Sequence, residues 1–160
     1  MTNIRVGFGY DVHRLQGGLP MTIGGVSVPH ERGWVAHSDG DVLIHAVCDA
    51  LLGAANMRDI GFHFPDNSGE YAGIDSKILL AKVIDIIATK GYKVVNVDCT
   101  IALQRPKLMP LIPLMSQAMA QAMGVEADCV SVKATTTEKL GFEGREEGGA
   151  AYAVALVEKD

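Results

Sequence analysis

The sequence predicts an α+β fold in which helices pack on one face of a mixed β-sheet. Three observations carry that prediction. Residues 4–13 and 94–103 alternate apolar and polar side chains with the period of a strand. Three further segments repeat their apolar residues at helical spacing, and the order of elements, β, ββ, α, α, β, α, β, β, mixes hairpin-linked with helix-linked strands. No stretch has linker composition, so residues 1–160 read as one domain.

The first strand sets Ile4, Val6, Phe8, Tyr10 and Val12 on one face and Arg5, Gly7, Gly9, Asp11 and His13 on the other. Gly7 and Gly9 are expected to leave the second face open. A Gly17-Gly18 turn leads to a hairpin, Met21 to Ile23 and Val26 to Val28 about Gly24-Gly25, bounded by Pro29. A helix from about Asp41 to Ala55, capped by Ser38 or Asp39, buries Leu43, Val47, Ala50, Leu51 and Ala54. The next begins at Asp75 or Ser76, carries Leu79, Leu80, Val83, Ile84 and Ile87 on one face, and stops before Gly91.

In the second alternating strand Val95, Val97, Cys99, Ile101 and Leu103 oppose Asn96, Asp98 and Thr100. After Pro110 a helix carries Ile112, Met115, Met119, Ala122 and Met123 and ends at Gly124. Residues 129–135 form a strand, and residues 150–157, AAYAVALV, form an apolar central one that pairs with it. The polar, glycine-rich stretch between them is longer than a hairpin needs, which suits a functional loop.

Composition excludes several classes. A chain of 160 residues buries roughly 70% of its unfolded surface without a disulfide or metal staple. With 14 basic and 19 acidic residues the net charge is -5, which does not suit a nucleic-acid platform, and 48% apolar content does not suit disorder. The 18 glycines cluster without a period, so collagen-like and repeat folds are excluded. No apolar run is long enough to span a bilayer and Met1 to Gly9 lacks a leader pattern, so the expectation is a cytoplasmic protein with no membrane association. Cys48, Cys99 and Cys129 lack CxxC spacing and read as small buried hydrophobes.

Asp11 and His13, two apart on a strand, leave the same face and can reach one ion. His45 offers a third ligand, and two histidines with one carboxylate form a catalytic zinc shell with an open fourth position. Asp41 and Asp49 flank His45 at i-4 and i+4, where either could fix the imidazole tautomer. Taken alone, a DxH with a distant histidine more often describes unrelated histidines. Its combination with HSDGD and TTTE, from separate segments, is harder to obtain by chance.

HSDGD places His37, Ser38 and Asp39 at a helix start, which suits a phosphate or a plain N-cap equally. In TTTEK, Thr136 and Glu138 point one way, a hydroxyl donor beside a carboxylate that suits magnesium, although threonines also favour strand edges. Lys139 and Arg145 would attract anions or form a solvated face. QRPKLMP could grip a base or ribose through its main chain, and DIGFHFPDNS carries Asp59, His63 and Asp66; either could be a connection only. His63 reads as a loop staple, not a ligand.

GFGYDVH, AHSDGDVLIHAVCDALLGAA, DIGFHFPD, KGYKVVNVDCTI, PKLMPLIP and VKATTTEKLGFEGREEG together strongly resemble the 2-C-methyl-D-erythritol 2,4-cyclodiphosphate synthase family, over essentially the whole chain. The resemblance implies a metal-dependent cyclase. Its substrate, 4-diphosphocytidyl-2-C-methyl-D-erythritol 2-phosphate, would close on its own β-phosphorus and release CMP. By the family pattern Asp11, His13 and His45 hold zinc, Glu138 helps hold magnesium or manganese, and His37 and Thr136 stabilise the transition state.

The resemblance further assigns Leu103, Gln104, Arg105, Pro106, Lys107, Leu108 and Met109 with Thr135, Thr136 and Thr137 to a cytidine pocket, near Phe142 and Arg145. It maps the erythritol phosphate onto Asp59, Ile60, Gly61, Phe64, Pro65, Asp66, Asn67 and Ser68, with substrate contacts also at Asp11, Val12, His13, His37, Ser38 and Glu138. It implies a homotrimer with active sites between subunits and a central cavity able to hold an isoprenoid diphosphate near Arg145. Phe8 to Tyr10 and Asn56 to His63 depart from the family pattern, away from every implied metal ligand. Two rivals share the ligand set: a zinc-dependent phosphohydrolase, and a non-catalytic metal-stabilised oligomeric module.

Overall fold

The computed structural model describes residues 3–160. The chain runs through β1 (Asn3–Gly17), the hairpin β2 (Thr22–Ile23) and β3 (Val26–Ser27), β4 (Arg32–Val35), α1 (Val42–Ala54), the single turn α2 (Ile60–His63) and α3 (Ser76–Ala88). It continues through β5 (Lys93–Ala102), α4 (Ile112–Met123), β6 (Val130–Thr135), the single turn α5 (Gly141–Gly144) and β7 (Gly148–Lys159). Five strands form one sheet in the order β4-β1-β7-β5-β6. The sheet is mixed, because β5 and β6 run parallel while the other neighbours are antiparallel.

β7 is central, as its apolar run predicts. It does not pair with β6 as expected: β5 lies between them. A parallel β5–β6 pair needs a crossover, and α4 supplies it, so the 136–147 stretch returns across a strand instead of closing a hairpin. β4 was not foreseen. It adds to the β1 edge through Arg14 to Gly17, and Trp34 donates from Nε1 to the Thr22 carbonyl at 2.9 Å.

α1, α3 and α4 pack in a row against one another, and α1 lies directly on β1 and β7. Ala151, Ala153 and Ala155 are buried there, and Gly7 and Gly9 let the helix backbone approach. A Cβ at Gly9 would stand 1.8 Å from the Ala46 carbonyl oxygen, and one at Gly7 1.9 Å from that of Ala50. The glycine face is therefore closed by α1, contrary to the open face expected. The apolar face is the exposed one: Val6 keeps 66% and Phe8 63% of its surface, and Ile4, Tyr10, Val12, Tyr152 and Val154 join them.

The N-cap of α1 is Asp41, not Ser38 or Asp39. Its Oδ1 accepts from Ile44 N at 3.0 Å and from Gly24 N at 2.9 Å, and its Oδ2 from Gly25 N at 2.7 Å. One buried carboxylate thus fastens the β2–β3 turn to the helix start. α3 is capped by Asp75, and α4 ends at Gly124 with φ +70°, the left-handed conformation glycine adopts without penalty.

Candidate active site

β1 and α1 bring the three foreseen ligands together. Asp11 Oδ2 lies 3.1 Å from His13 Nδ1 and 3.2 Å from His45 Nδ1, and one donor atom of each residue falls within 4.8 Å of the others. The burial of these groups differs, with His45 buried and the other two half-buried at the edge of a cleft. His13 Nδ1 is buried and, although 3.1 Å from Asp11 Oδ2, makes no well-aligned hydrogen bond, which suits a ring nitrogen held toward a ligand that the protein itself does not supply. Two imidazole nitrogens and one carboxylate oxygen this close together fit a tetrahedral divalent cation.

Burial opposes ionisation of Asp11, but the two imidazoles outweigh it and hold the carboxyl below its usual range. Burial likewise opposes protonation of His45, and the Asp11 carboxylate outweighs that, raising the imidazole. Neither Asp41 nor Asp49 fixes the His45 tautomer as expected. Asp41 is committed to the cap, and Asp49 accepts from Ile60 N at 2.9 Å, which ties α2 to α1. Burial pushes both of these carboxyls up.

The triad opens into a cleft of about 390 Å³. Of the foreseen residues, His37, Ser38, Ile60, Gly61, Phe64, Asp66 and Ser68 also line it. Asp59 instead caps α2 by accepting from Phe62 N at 2.9 Å, and Pro65 and Asn67 lie in the same loop without lining the cleft. His63 Nε2 lies 2.7 Å from the Met57 carbonyl oxygen, a staple as read. Val35, Ala36, Gly69, Tyr71, Ala72, Ile74 and Leu79 line the cleft without having been foreseen. They are mostly apolar residues of irregular segments, and Leu79 already had a place in a helical core stripe, so only their adjacency to HSDGD and to the α3 cap could have signalled them.

The second group of foreseen residues assembles elsewhere. Leu103 N donates to the Thr135 carbonyl at 3.0 Å, and the Gln104 side chain accepts from Lys139 N at 3.1 Å, joining 103–109 to 135–139. Leu103 and Leu108 are buried in the core, so these two can offer a ligand only their main chain. Glu138, at φ +54°, donates its N–H to Thr136 Oγ1 at 3.2 Å. Arg105 pairs with Glu146 at 2.8 Å and Glu31 at 3.3 Å, and Arg145 with Glu147 at 2.8 Å. None of Leu103 to Met109 or Thr135 to Glu138 lines the triad cleft. Val12 and Phe142 line a smaller one of about 270 Å³ with His13, Arg14, Glu147 and Gly148.

The model of the YgbB family matches residues 4–158. The chain belongs to the YgbB family. A curated YgbB relative, the 2-C-methyl-D-erythritol 2,4-cyclodiphosphate synthase of Bacteroides thetaiotaomicron, is 63% identical over 157 residues, covering 98% of this chain and 99% of the relative. The bifunctional IspDF of Campylobacter jejuni superposes with a TM-score of 0.96 at 37% identity, covering all of this chain and 43% of that one. A 2C-methyl-D-erythritol-2,4-cyclodiphosphate synthase structure in its CDP-bound form gives a TM-score of 0.88 at 33% identity, over 96% of this chain and 99% of that one. Among the described residues no helix is long and apolar enough to cross a membrane.

Proposed function

We propose that this YgbB-family chain is a cyclising phosphorus-oxygen lyase of the non-mevalonate isoprenoid pathway, acting in the cytoplasm as one domain over residues 1–160. It converts 4-diphosphocytidyl-2-C-methyl-D-erythritol 2-phosphate to 2-C-methyl-D-erythritol 2,4-cyclodiphosphate and CMP. The observation that carries this reading is the Asp11, His13 and His45 cluster at the head of a cleft lined by His37, Ser38 and the 60–68 loop, in a chain 63% identical to a named synthase of the same length.

In this reading an oxygen of the 2-phosphate attacks the β-phosphorus, the bond to the bridging oxygen breaks, and CMP leaves with that electron pair. No protein nucleophile is needed, because the attacking group is tethered to the electrophile and folding the chain back raises its effective concentration. The Asp11, His13 and His45 set would hold zinc and Glu138 would help hold magnesium or manganese, which supply charge neutralisation for phosphate oxygens. Ile60, Gly61, Phe64, Asp66 and Ser68 line the end of the cleft that receives the erythritol phosphate. His37 and Thr136 would donate to oxygens that gain charge as the ring closes.

The separation of the two residue groups within one chain supports a homotrimer with sites between subunits. The triad cleft of one protomer would receive the cytidine pocket of the next, built from Leu103 to Met109 and Thr135 to Thr137. The exposed apolar face of β1 and β7 would then line a shared interior, where Phe142 and Arg145 could meet an isoprenoid diphosphate.

Phosphorus NMR of the protein with this substrate, zinc and magnesium tests the function. Two coupled resonances of a cyclic diphosphate should appear together with CMP. Free phosphate or free diphosphate would indicate hydrolysis instead, and an unchanged spectrum with metal bound would leave a non-catalytic module.

A further inference from the structure

His37 and Ser38 sit in the cleft wall on a segment, residues 36–41, that has no regular secondary structure of its own. Within it Gly40 N donates to Ser38 Oγ at 3.2 Å and Asp41 N to Asp39 Oδ1 at 3.1 Å, and residues 73–76 tie it to the beginning of α3. Ser76, the first residue of α3, is completely buried and does not line the cleft. Its N–H donates to Asp39 Oδ2 at 2.8 Å, and its hydroxyl lies 2.8 Å from the same oxygen and 3.1 Å from Asp41 Oδ2. Gly73 N donates to the His37 carbonyl at 2.8 Å. The two segments are thus joined by two rungs, Gly73 to His37 and Ser76 to Asp39, with the cleft on one side and the core on the other.

We propose that Ser76 is a positioning residue, which acts through Asp39 to hold His37 and Ser38 in the cleft; this inference rests on the cyclase reading above. The hydroxyl has one proton and two carboxylates to serve, so it is the bridge between the loop and the helix cap. The bond to Asp39 governs the loop. Asp41 keeps three amide donors whatever Ser76 does, so the start of α1, and with it His45, does not depend on the hydroxyl. When the hydroxyl is lost the Ser76 N–H stays on Asp39 Oδ2, so the loop should loosen about His37 without being released, and the triad should stay intact.

The experiment is hydrogen exchange of the Gly73 amide by NMR in the full-length, zinc-loaded protein, alongside steady-state kinetics and zinc content, for Ser76→Ala and wild type. Gly73 exchange should accelerate by about tenfold. The kcat should fall by about tenfold with little change in KM, since a loosened transition-state donor affects the chemical step. Zinc per chain should not change. Ser76→Cys, close in size and a weak donor, should fall between the two, and it carries the same comparison if the alanine variant does not fold. Unaltered Gly73 exchange would overturn the latch, and faster exchange with unaltered kcat would overturn its role in positioning. If wild type makes no cyclic product while Gly73 still responds, the cyclase reading fails and the latch stands.

Discussion

On one face of β1 stand Gly7 and Gly9 under α1, leading to Asp11 and His13; on the other stand Ile4, Val6, Phe8, Tyr10 and Val12, each more than 40% exposed. Hydrophobicity alone would bury the second face and open the first. The molecule does the reverse because burial depends on what can approach, and a helix backbone approaches a strand most closely where there is no Cβ. The small face is where the active-site scaffold is rigid, since β1 and α1 are locked backbone to backbone and each presents ligands at the end of that contact. The large face is left for another surface.

The contact between β1 and α1 is tightest at Gly9. A valine there would drive its Cβ into the Ala46 carbonyl, which lies within α1 and cannot yield without displacing the helix. The expected loss is at least about 3 kcal/mol, at or beyond the upper end of overpacking costs, seen as a collapse of the thermal transition or a failure to fold. A melting temperature within a few degrees of wild type would mean that α1 does not rest on the strand as described.

A glutamate at Phe8 probes the other face. The side chain is 63% exposed, so within one chain the substitution should cost no more than about 0.5 kcal/mol. In the proposed trimer it would place three carboxylates in an apolar interior, and if that assembly forms, sedimentation should find wild-type trimers and variant monomers at micromolar concentration. An undisturbed trimer would place the subunit interface elsewhere.

Legibility in the sequence followed the range of the interactions involved. β1, α1, α3, α4 and β5 could be read because a period is a local property, repeated over ten or more residues, and β7 because a continuous apolar run marks a central strand. The clustering of Asp11, His13 and His45 could be read because Asp11 and His13 share a strand face and His45 is of a matching chemical type. β4 could not: four residues, Arg32–Val35, carry no period, and what makes them a strand is the β1 edge and the slot that Trp34 fills. The cap was misplaced because Ser38, Asp39 and Asp41 are all competent, and only Gly24 and Gly25, distant in sequence, select Asp41. The apolar cleft wall from Tyr71 to Ile74 escaped notice for a similar reason, since its role is set by the latch to HSDGD.

The smallest effect concerns protons at the rigid end. In metal-free protein Asp11 is held below its ordinary range by His13 and His45, so its contribution to stability is present above the unfolded carboxyl value, about 4, and is lost as pH falls through the lower folded value. His45 is raised by Asp11, so its contribution is present below the unfolded imidazole value, about 6.5, and is lost as pH rises through the higher folded value. The pair therefore stabilises most between those two limits. Metal-free protein should lose melting temperature relative to His45→Ala as pH rises from about 6.5 to 9, the range above the ordinary imidazole value. Zinc held at the triad as proposed would reverse the sign, because it requires the neutral imidazole and its binding strengthens as protons leave. The same titration with saturating zinc should therefore show wild type gaining on His45→Ala over that range, and parallel profiles in both conditions would separate His45 from Asp11 and from the metal.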